Sequence, residues 1–173
     1  FNVLGPITNP AGVCAHSVGV AFEEMAPVIA GVFADRGASA IVVRGRDGLD
    51  ELSIAAESDV WEVRNGSVTT HVIAPEDFGL ARASIDALRG GDPAYNAQVA
   101  RDLLAGRKGP VRDAVVLNAA SGIVAAEALE AGADACAAFT DRMRTAVKRA
   151  EESLDTGAAQ AALDRWVRVS QSV

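Results

Sequence analysis

Three carboxylates stand close together in the segment VVRGRDGLDELS at residues 42–53, directly after an apolar run. Asp47, Asp50 and Glu51 fall within five residues, and the two glycines of the segment favour a tight loop. Neighbouring carboxylates repel each other unless a cation or a basic group neutralises them. Mg²⁺ typically binds one or two carboxylates and completes its octahedron with waters and phosphate oxygens. The pattern alone leaves two interpretations open, a Mg²⁺ site and a solvated acidic turn.

The elements before this segment alternate between strand-like and helix-like patterns. Residues 14–20 and 39–43 are rich in β-forming side chains, and residues 22–36 between them carry apolar side chains at helical spacing. This order predicts a βαβ unit with parallel strands. In open α/β sheets, ligands bind beyond the carboxyl ends of the strands. The acidic segment follows the second strand and therefore falls at that edge.

A hairpin is predicted after the acidic segment. Two β-type runs, residues 59–64 and 67–73, are joined by Asn65 and Gly66. An Asn-Gly pair between such runs favours a type I′ turn, because both central residues of that turn need a positive φ.

Helical patterns fill the rest of the chain. Asp92 followed by Pro93 is typical of an N-cap and the first position of a helix. Three further helices are predicted, over residues 111–131, 134–154 and 157–170. No linker divides the chain. The predicted fold is of the α/β class, with a central, mostly parallel sheet that includes a β-hairpin, flanking helices and a helical C-terminal flank.

Composition excludes several classes of protein. Of the 173 residues, 50% are hydrophobic and 23% are charged, which is unlike a disordered chain. The 16 basic and 23 acidic residues give a net charge of −7. Nucleic-acid binders usually carry a basic footprint, so no nucleic-acid partner is expected.

Membrane insertion and a disulfide framework are also disfavoured. The longest apolar stretch, residues 114–129, is interrupted by Asn118 and Ser121 and is shorter than the roughly 20 residues of a membrane span. It is interpreted as a buried helix. Cys14 and Cys136 are far apart and lack metal-ligand spacing, which favours a reducing, cytoplasmic setting.

The other chemically capable residues are given structural roles. His16 and His71 each stand without a nearby nucleophile or ligand pattern, and Trp61 and Trp166 are interpreted as packing residues. The opening segment FNVLGPITNPAG is rich in glycine and proline and predicts an irregular, rigid loop. No residue is assigned a direct catalytic or cofactor-binding role.

Five segments taken together resemble the C-terminal half of the anthranilate phosphoribosyltransferase family. They occur in the order of that family and extend over essentially the whole chain. The segments are FNVLGPITNPA at 1–11, VVRGRDGLDELS at 42–53, PEDFGL at 75–80, GPVRDAVVLNAA at 109–120 and SLDTGAAQAALDRWV at 153–167.

The resemblance implies a specific reaction. The amine of anthranilate would displace pyrophosphate from phosphoribosyl pyrophosphate, giving phosphoribosylanthranilate for tryptophan biosynthesis. It also implies Mg²⁺ on the pyrophosphate, with Asp50 and Glu51 as the metal contacts and Asp47 in a supporting loop role. A metal placed there would stabilise the charge that gathers on the departing pyrophosphate. The full-length parent is expected to be a cytoplasmic homodimer.

Two departures from the family pattern qualify this expectation. Arg44 stands where the family usually has His. Residues 1–173 would form only the C-terminal part of the large α/β domain, without the N-terminal helical domain and the phosphoribosyl pyrophosphate loop. The chain alone is therefore expected to be inactive.

Two alternatives remain at this point. One is a non-catalytic, nucleic-acid-binding relative of the same fold, and the other is a pyrimidine nucleoside phosphorylase. The acidic net charge disfavours the first. The DGLDE motif at 47–51 favours the transferase over both.

Overall fold

A computed structural model describes residues 4–129 and 137–172. Its described residues form one sheet whose strands lie side by side in chain order: β1 (Ala15–Gly19), β2 (Ser39–Gly45), β3 (Ser58–Arg64) and β4 (Ser67–Ile73). The α-helices are α1 (Leu4–Ile7), α2 (Ala26–Asp35), α3 (Pro93–Leu104), α4 (Pro110–Glu127), α5 (Phe139–Asp155) and α6 (Ala158–Ser170). Single 3₁₀ turns occupy Glu23–Met25, Pro75–Phe78 and Ile85–Leu88.

The α/β class, the hairpin and the flanking helices are confirmed, but the expectation of a mostly parallel sheet is wrong for the described strands. Strand β1 pairs in parallel with β2, whereas β3 is antiparallel to both β2 and β4. A parallel pair needs a long crossover, which is usually a helix. Helix α2 provides one between β1 and β2, while the connection from β2 to β3 contains no helix. The short turn after β3 likewise forces β4 to return antiparallel.

The turn between β3 and β4 has the predicted geometry. Asn65 has φ of 52° and Gly66 has φ of 73°, so both central residues are in the left-handed region that a type I′ turn requires. The pair Arg64 and Ser67 closes the ladder on either side of this turn.

Helices cover the sheet on both faces. Side chains alternate along β2, so Ile41 and Val43 lie in one core cluster while Ala40 and Val42 lie in the other. The first cluster is formed with α4 and α5, and the second with α2. Strand β2 is therefore buried on both faces, as its continuous apolar sequence predicts.

The apolar stretch at 114–129 lies largely in α4 and buries one face, which confirms the buried-helix interpretation. The apolar stripe of α5 is buried as well. The predicted start of that helix at 134 falls within residues 130–136, which lie outside the described residues, as does Cys136. No helix among the described residues is long and apolar enough to cross a membrane.

Two predictions of local structure are wrong. The opening segment contains the short helix α1, after which the Thr8 amide donates to the carbonyl of Leu4, so the predicted irregular loop holds only for residues 8–12. Trp166 is 72% exposed on α6 and does not pack in the core, whereas Trp61 does lie against the α2 cluster. The amphipathic pattern of α6 did not reveal which of its faces the rest of the chain covers.

A buried ion-pair cluster fastens α5 to the hairpin. The carboxylate of Glu62 on β3 accepts from Arg142 at 2.5 Å and from the His71 ring at 3.0 Å. Phe139 of α5 stacks on His71 with ring centroids 4.3 Å apart. His71 thus has the structural role that was expected. His16 does too, since it bonds to a backbone carbonyl.

Backbone conformation predicts opposite effects of two glycine-to-alanine changes on the free energy of unfolding. Gly66→Ala forces a Cβ into positive φ and should lower the free energy of unfolding by about 1 kcal/mol. Gly31 lies inside α2 with open space around the position of a Cβ. Gly31→Ala should therefore raise the free energy of unfolding by about 0.5 kcal/mol. Urea unfolding of both variants measures the two signs, and equal effects would contradict the turn assignment.

Removing one partner of the buried cluster should be costly. Arg142→Ala removes a charged partner of the buried Glu62 carboxylate, so the free energy of unfolding is expected to fall by about 3 kcal/mol. Arg89→Ala breaks an ion pair whose partners are both largely exposed and should leave stability nearly unchanged. The comparison is made by thermal and urea unfolding. Equal losses in the two variants would show that Glu62 does not depend on Arg142.

Candidate functional site

The acidic segment forms a tight turn at the carboxyl end of β2. The Gly45 amide donates to the carbonyl of Leu49 at 2.8 Å, and the Gly48 amide donates to the carbonyl of Gly45 at 2.9 Å. Gly48 has φ of 95°, a conformation that side chains rarely adopt. The turn therefore projects the following residues beyond the sheet edge, where the sequence predicted a site.

Asp47 is used inside the turn. One oxygen of its carboxylate accepts from the Leu49 amide at 3.2 Å, and the other accepts from the Ser53 hydroxyl at 2.7 Å. Ser53 in turn accepts from the amides of Ala55 and Ala56. Asp47 thereby closes the loop on both sides, which agrees with the supporting role expected for it.

Asp50 and Glu51 are consecutive residues of the turn, and both are exposed to solvent in part. Within the described residues, neither carboxylate has a hydrogen-bond or ion-pair partner. Partial burial of the Glu51 carboxyl, together with the smaller effect of the Asp50 charge, raises the pKa of Glu51 above its usual value. A bound cation would relieve both costs, because it favours the ionised form of each carboxylate. The pair fits the donor set of Mg²⁺.

The pair does not by itself make a complete metal cage. No group of three His, Cys, Asp or Glu side chains converges anywhere in the part of the chain that the structure describes. A site of two carboxylates suits a cation that takes most of its ligands from water and phosphate oxygens, as Mg²⁺ does. His16 and His71 lie elsewhere and contribute nothing to the turn.

The basic side chains that flank the turn are engaged elsewhere. Arg44 reaches back to the carbonyls of Ala21 at 3.3 Å and Gly45 at 3.4 Å. Arg46 pairs with Glu57 at 2.6 Å and with Asp59 at 2.8 Å. Neither guanidinium neutralises the acidic pair, so its charge remains available to a ligand.

The backbone of the turn packs directly on β1. A Cβ built on Gly19 would overlap the carbonyl oxygen of Asp50. Glycine at the end of β1 is therefore the residue that lets the acidic turn approach this strand. A Cβ on Gly45 would similarly lie 2.5 Å from the Asp47 carboxylate and 3.3 Å from the Glu51 carbonyl.

Helix α4 holds the other side of the turn through Asn118. Its amide oxygen accepts from the Leu52 amide at 2.8 Å, and its nitrogen donates to the Leu52 carbonyl at 2.9 Å and the Ala114 carbonyl at 3.0 Å. Ser121 donates to the Asn118 carbonyl at 2.6 Å and lies 2.6 Å from the hydroxyl of Ser17 on β1. These polar contacts join α4, β1 and the turn.

Sequence reasoning missed Asn118, Ser121 and Ser17. A signal was present for two of them, because Asn118 and Ser121 interrupt an otherwise apolar helix. A buried polar group must find a hydrogen-bond partner, so a polar residue on the buried face of a helix marks a specific contact. The pattern could not indicate that the partner is Leu52, which lies 66 residues away.

Comparisons of the sequence with known proteins find a family and close relatives. The family model for the glycosyl transferase family, a/b domain, matches residues 1–160. The anthranilate phosphoribosyltransferase of Arthrobacter sp. (strain FB24) is 54% identical over 171 residues, which cover 99% of this chain and 47% of that relative.

Solved structures agree with the sequence matches. The crystal structure of the Thermus thermophilus anthranilate phosphoribosyltransferase is 39% identical, with a TM-score of 0.81 over 96% of this chain and 46% of that one. A variant of the Saccharomyces cerevisiae enzyme with Mg bound is 25% identical, with a TM-score of 0.81 over 98% of this chain and 47% of that one.

The resemblance carried by the five sequence segments is confirmed. The chain spans about half the length of the relatives it matches. Its sheet, the acidic turn after β2 and helices α1 to α5 all lie within the matched residues, while α6 extends beyond them. This chain belongs to the glycosyl transferase family, a/b domain.

Proposed function

We propose that this chain is part of an anthranilate phosphoribosyltransferase. The anthranilate nitrogen bonds to the anomeric carbon of phosphoribosyl pyrophosphate, the bond from that carbon to pyrophosphate breaks, and the amine loses a proton. The observation that carries the proposal is the 54% identity to the Arthrobacter enzyme over 99% of this chain. Since the chain covers 47% of that enzyme, the activity is assigned to the complete protein.

Asp50 and Glu51 are proposed to hold the Mg²⁺ that accompanies the pyrophosphate group. Three features support this role: the two carboxylates are adjacent, they lack a partner within the described residues, and the pKa of Glu51 is raised. A yeast relative solved with Mg bound supports the choice of metal. When bound, the metal would offset the negative charge that develops on departing pyrophosphate. The protein's own contribution is to keep the two carboxylates together at the sheet edge.

The complete protein is proposed to supply what this chain does not provide. On this proposal, residues 1–173 form the C-terminal part of the large α/β domain, and other parts contact anthranilate and the ribose. The complete protein is further proposed to be a cytoplasmic homodimer. The names of its relatives favour the transferase over a pyrimidine nucleoside phosphorylase. That the protein lacks a nucleic-acid partner stays a prediction.

Removing either carboxylate of the Asp50–Glu51 pair should lower turnover and weaken its dependence on Mg²⁺. In the complete protein, Asp50→Ala or Glu51→Ala is expected to lower turnover about a hundredfold, corresponding to roughly 3 kcal/mol of transition-state stabilisation. Steady-state assays of phosphoribosylanthranilate formation across a Mg²⁺ titration measure the effect.

Asp35→Ala is the matched control for the loss of one negative charge, since Asp35 is exposed at the end of α2. Its kinetics should stay at the wild-type level. Wild-type kinetics of Asp50→Ala and Glu51→Ala at limiting Mg²⁺ would remove both carboxylates from the site. A complete wild-type protein without transferase activity would refute the proposed function itself.

The contact between β1 and the turn gives a second test. Gly19→Ala must displace the backbone at Asp50, so the Mg²⁺ concentration for half-maximal activity is expected to rise about tenfold. Gly122→Ala, on α4 with open space around its Cβ position, should leave that concentration unchanged. Equal Mg²⁺ titrations for the two variants would show that the approach of β1 does not place the acidic pair.

A further inference from the structure

The position of the acidic pair depends on the backbone that carries it. Neither the Asp50 nor the Glu51 side chain has a partner within the described residues. Their placement must therefore come from the main chain on either side of them. On the amino side, Asp47 and Gly45 close the turn internally. On the carboxyl side, the next residue is Leu52.

Leu52 is the point at which the turn enters the core. It is 1% exposed, and its amide and carbonyl both bond to the side chain of Asn118. These two bonds reproduce the pairing of an antiparallel strand through a single side-chain amide. Backbone groups buried away from water require such partners. The residue after Glu51 is thereby held against α4 in a defined orientation.

Asn118 is itself held on three sides. Its nitrogen also donates to the Ala114 carbonyl one turn earlier, which orients the amide plane. Its own carbonyl accepts from Ser121, which must be the donor there because a carbonyl can only accept. The Ser121 hydroxyl proton is engaged in that bond, so Ser17 donates to Ser121 across the 2.6 Å contact. This chain of contacts ties α4 to β1.

We propose that Asn118 is the positioning residue for the Asp50–Glu51 pair, its side-chain amide fixing the Leu52 backbone so that both carboxylates face one divalent cation. The inference rests on the proposed function for its kinetic test only. Asn118 does not touch the cation or the substrates. It acts through the peptide groups that follow Glu51.

The test compares three variants of the complete protein. Asn118→Ala removes both bonds to Leu52. Asn118→Asp keeps the size and one acceptor but loses the donor to the Leu52 and Ala114 carbonyls. Val124→Ala, buried on the same helix and without a hydrogen bond to the turn, controls for general destabilisation.

The expected kinetic result separates metal binding from turnover. Half-saturating Mg²⁺ should rise about tenfold to a hundredfold in Asn118→Ala and by a smaller factor in Asn118→Asp, while turnover at saturating Mg²⁺ changes less. Val124→Ala should keep the wild-type Mg²⁺ dependence although it unfolds at a lower temperature. A common Mg²⁺ dependence for all three variants would overturn the proposal.

Two readouts are independent of catalysis. Titration calorimetry with magnesium pyrophosphate should show weaker binding in Asn118→Ala, and amide hydrogen exchange of residues 49–53 should be faster in that variant alone. If the wild-type protein binds magnesium pyrophosphate but lacks transferase activity, the proposed function fails and the calorimetric comparison still decides the role of Asn118. If Asn118→Ala does not fold, Asn118→Asp decides it, and wild-type binding by that variant would overturn the proposal.

Discussion

The buried peptide group of Leu52 is the constraint on which the candidate site depends. Leu52 is 1% exposed, and its amide and carbonyl both bond to Asn118 of α4. Without these bonds the chain could not pass from an exposed acidic turn into the core without leaving buried polar groups unpaired. The same two bonds set the direction in which the chain leaves Glu51. The contact between Leu52 and Asn118 therefore serves both the packing of the core and the geometry of the site.

On the side of the turn away from α4, strand β1 of the sheet contacts the backbone of the turn. Strand β1 ends at Gly19, where the absence of a side chain lets the Asp50 carbonyl approach. Its Ser17 also reaches Ser121 on α4, and therefore the turn lies between a strand and a helix that are bonded to each other. This arrangement leaves the two carboxylates exposed while hydrogen bonds and a close backbone contact hold the chain on either side of them. Such an arrangement suits the cation site proposed for the pair.

The charged side chains around the turn differ in whether they have partners within the described residues. Arg44 and Arg46 stand next to the acidic residues in sequence, yet one bonds to backbone carbonyls and the other pairs with Glu57 and Asp59. The Asp47 carboxylate accepts a hydrogen bond from Ser53 within the loop itself. Of the charged groups in this segment, Asp50 and Glu51 are the ones left to a ligand. That selection depends on side-chain direction and could not be read from the order of residues.

The sequence by itself determined the features that depend on neighbouring residues. The Asn65–Gly66 turn, the Asp92 cap, the doubly buried β2 and the acidic cluster all follow from local conformational preference or from periodicity. Tertiary structure decided the antiparallel return of β3, the exposure of Trp166 and the bond between Asn118 and Leu52. Each of these depends on contacts between different elements of the fold, and local preference carries no information about which distant groups will satisfy a buried amide.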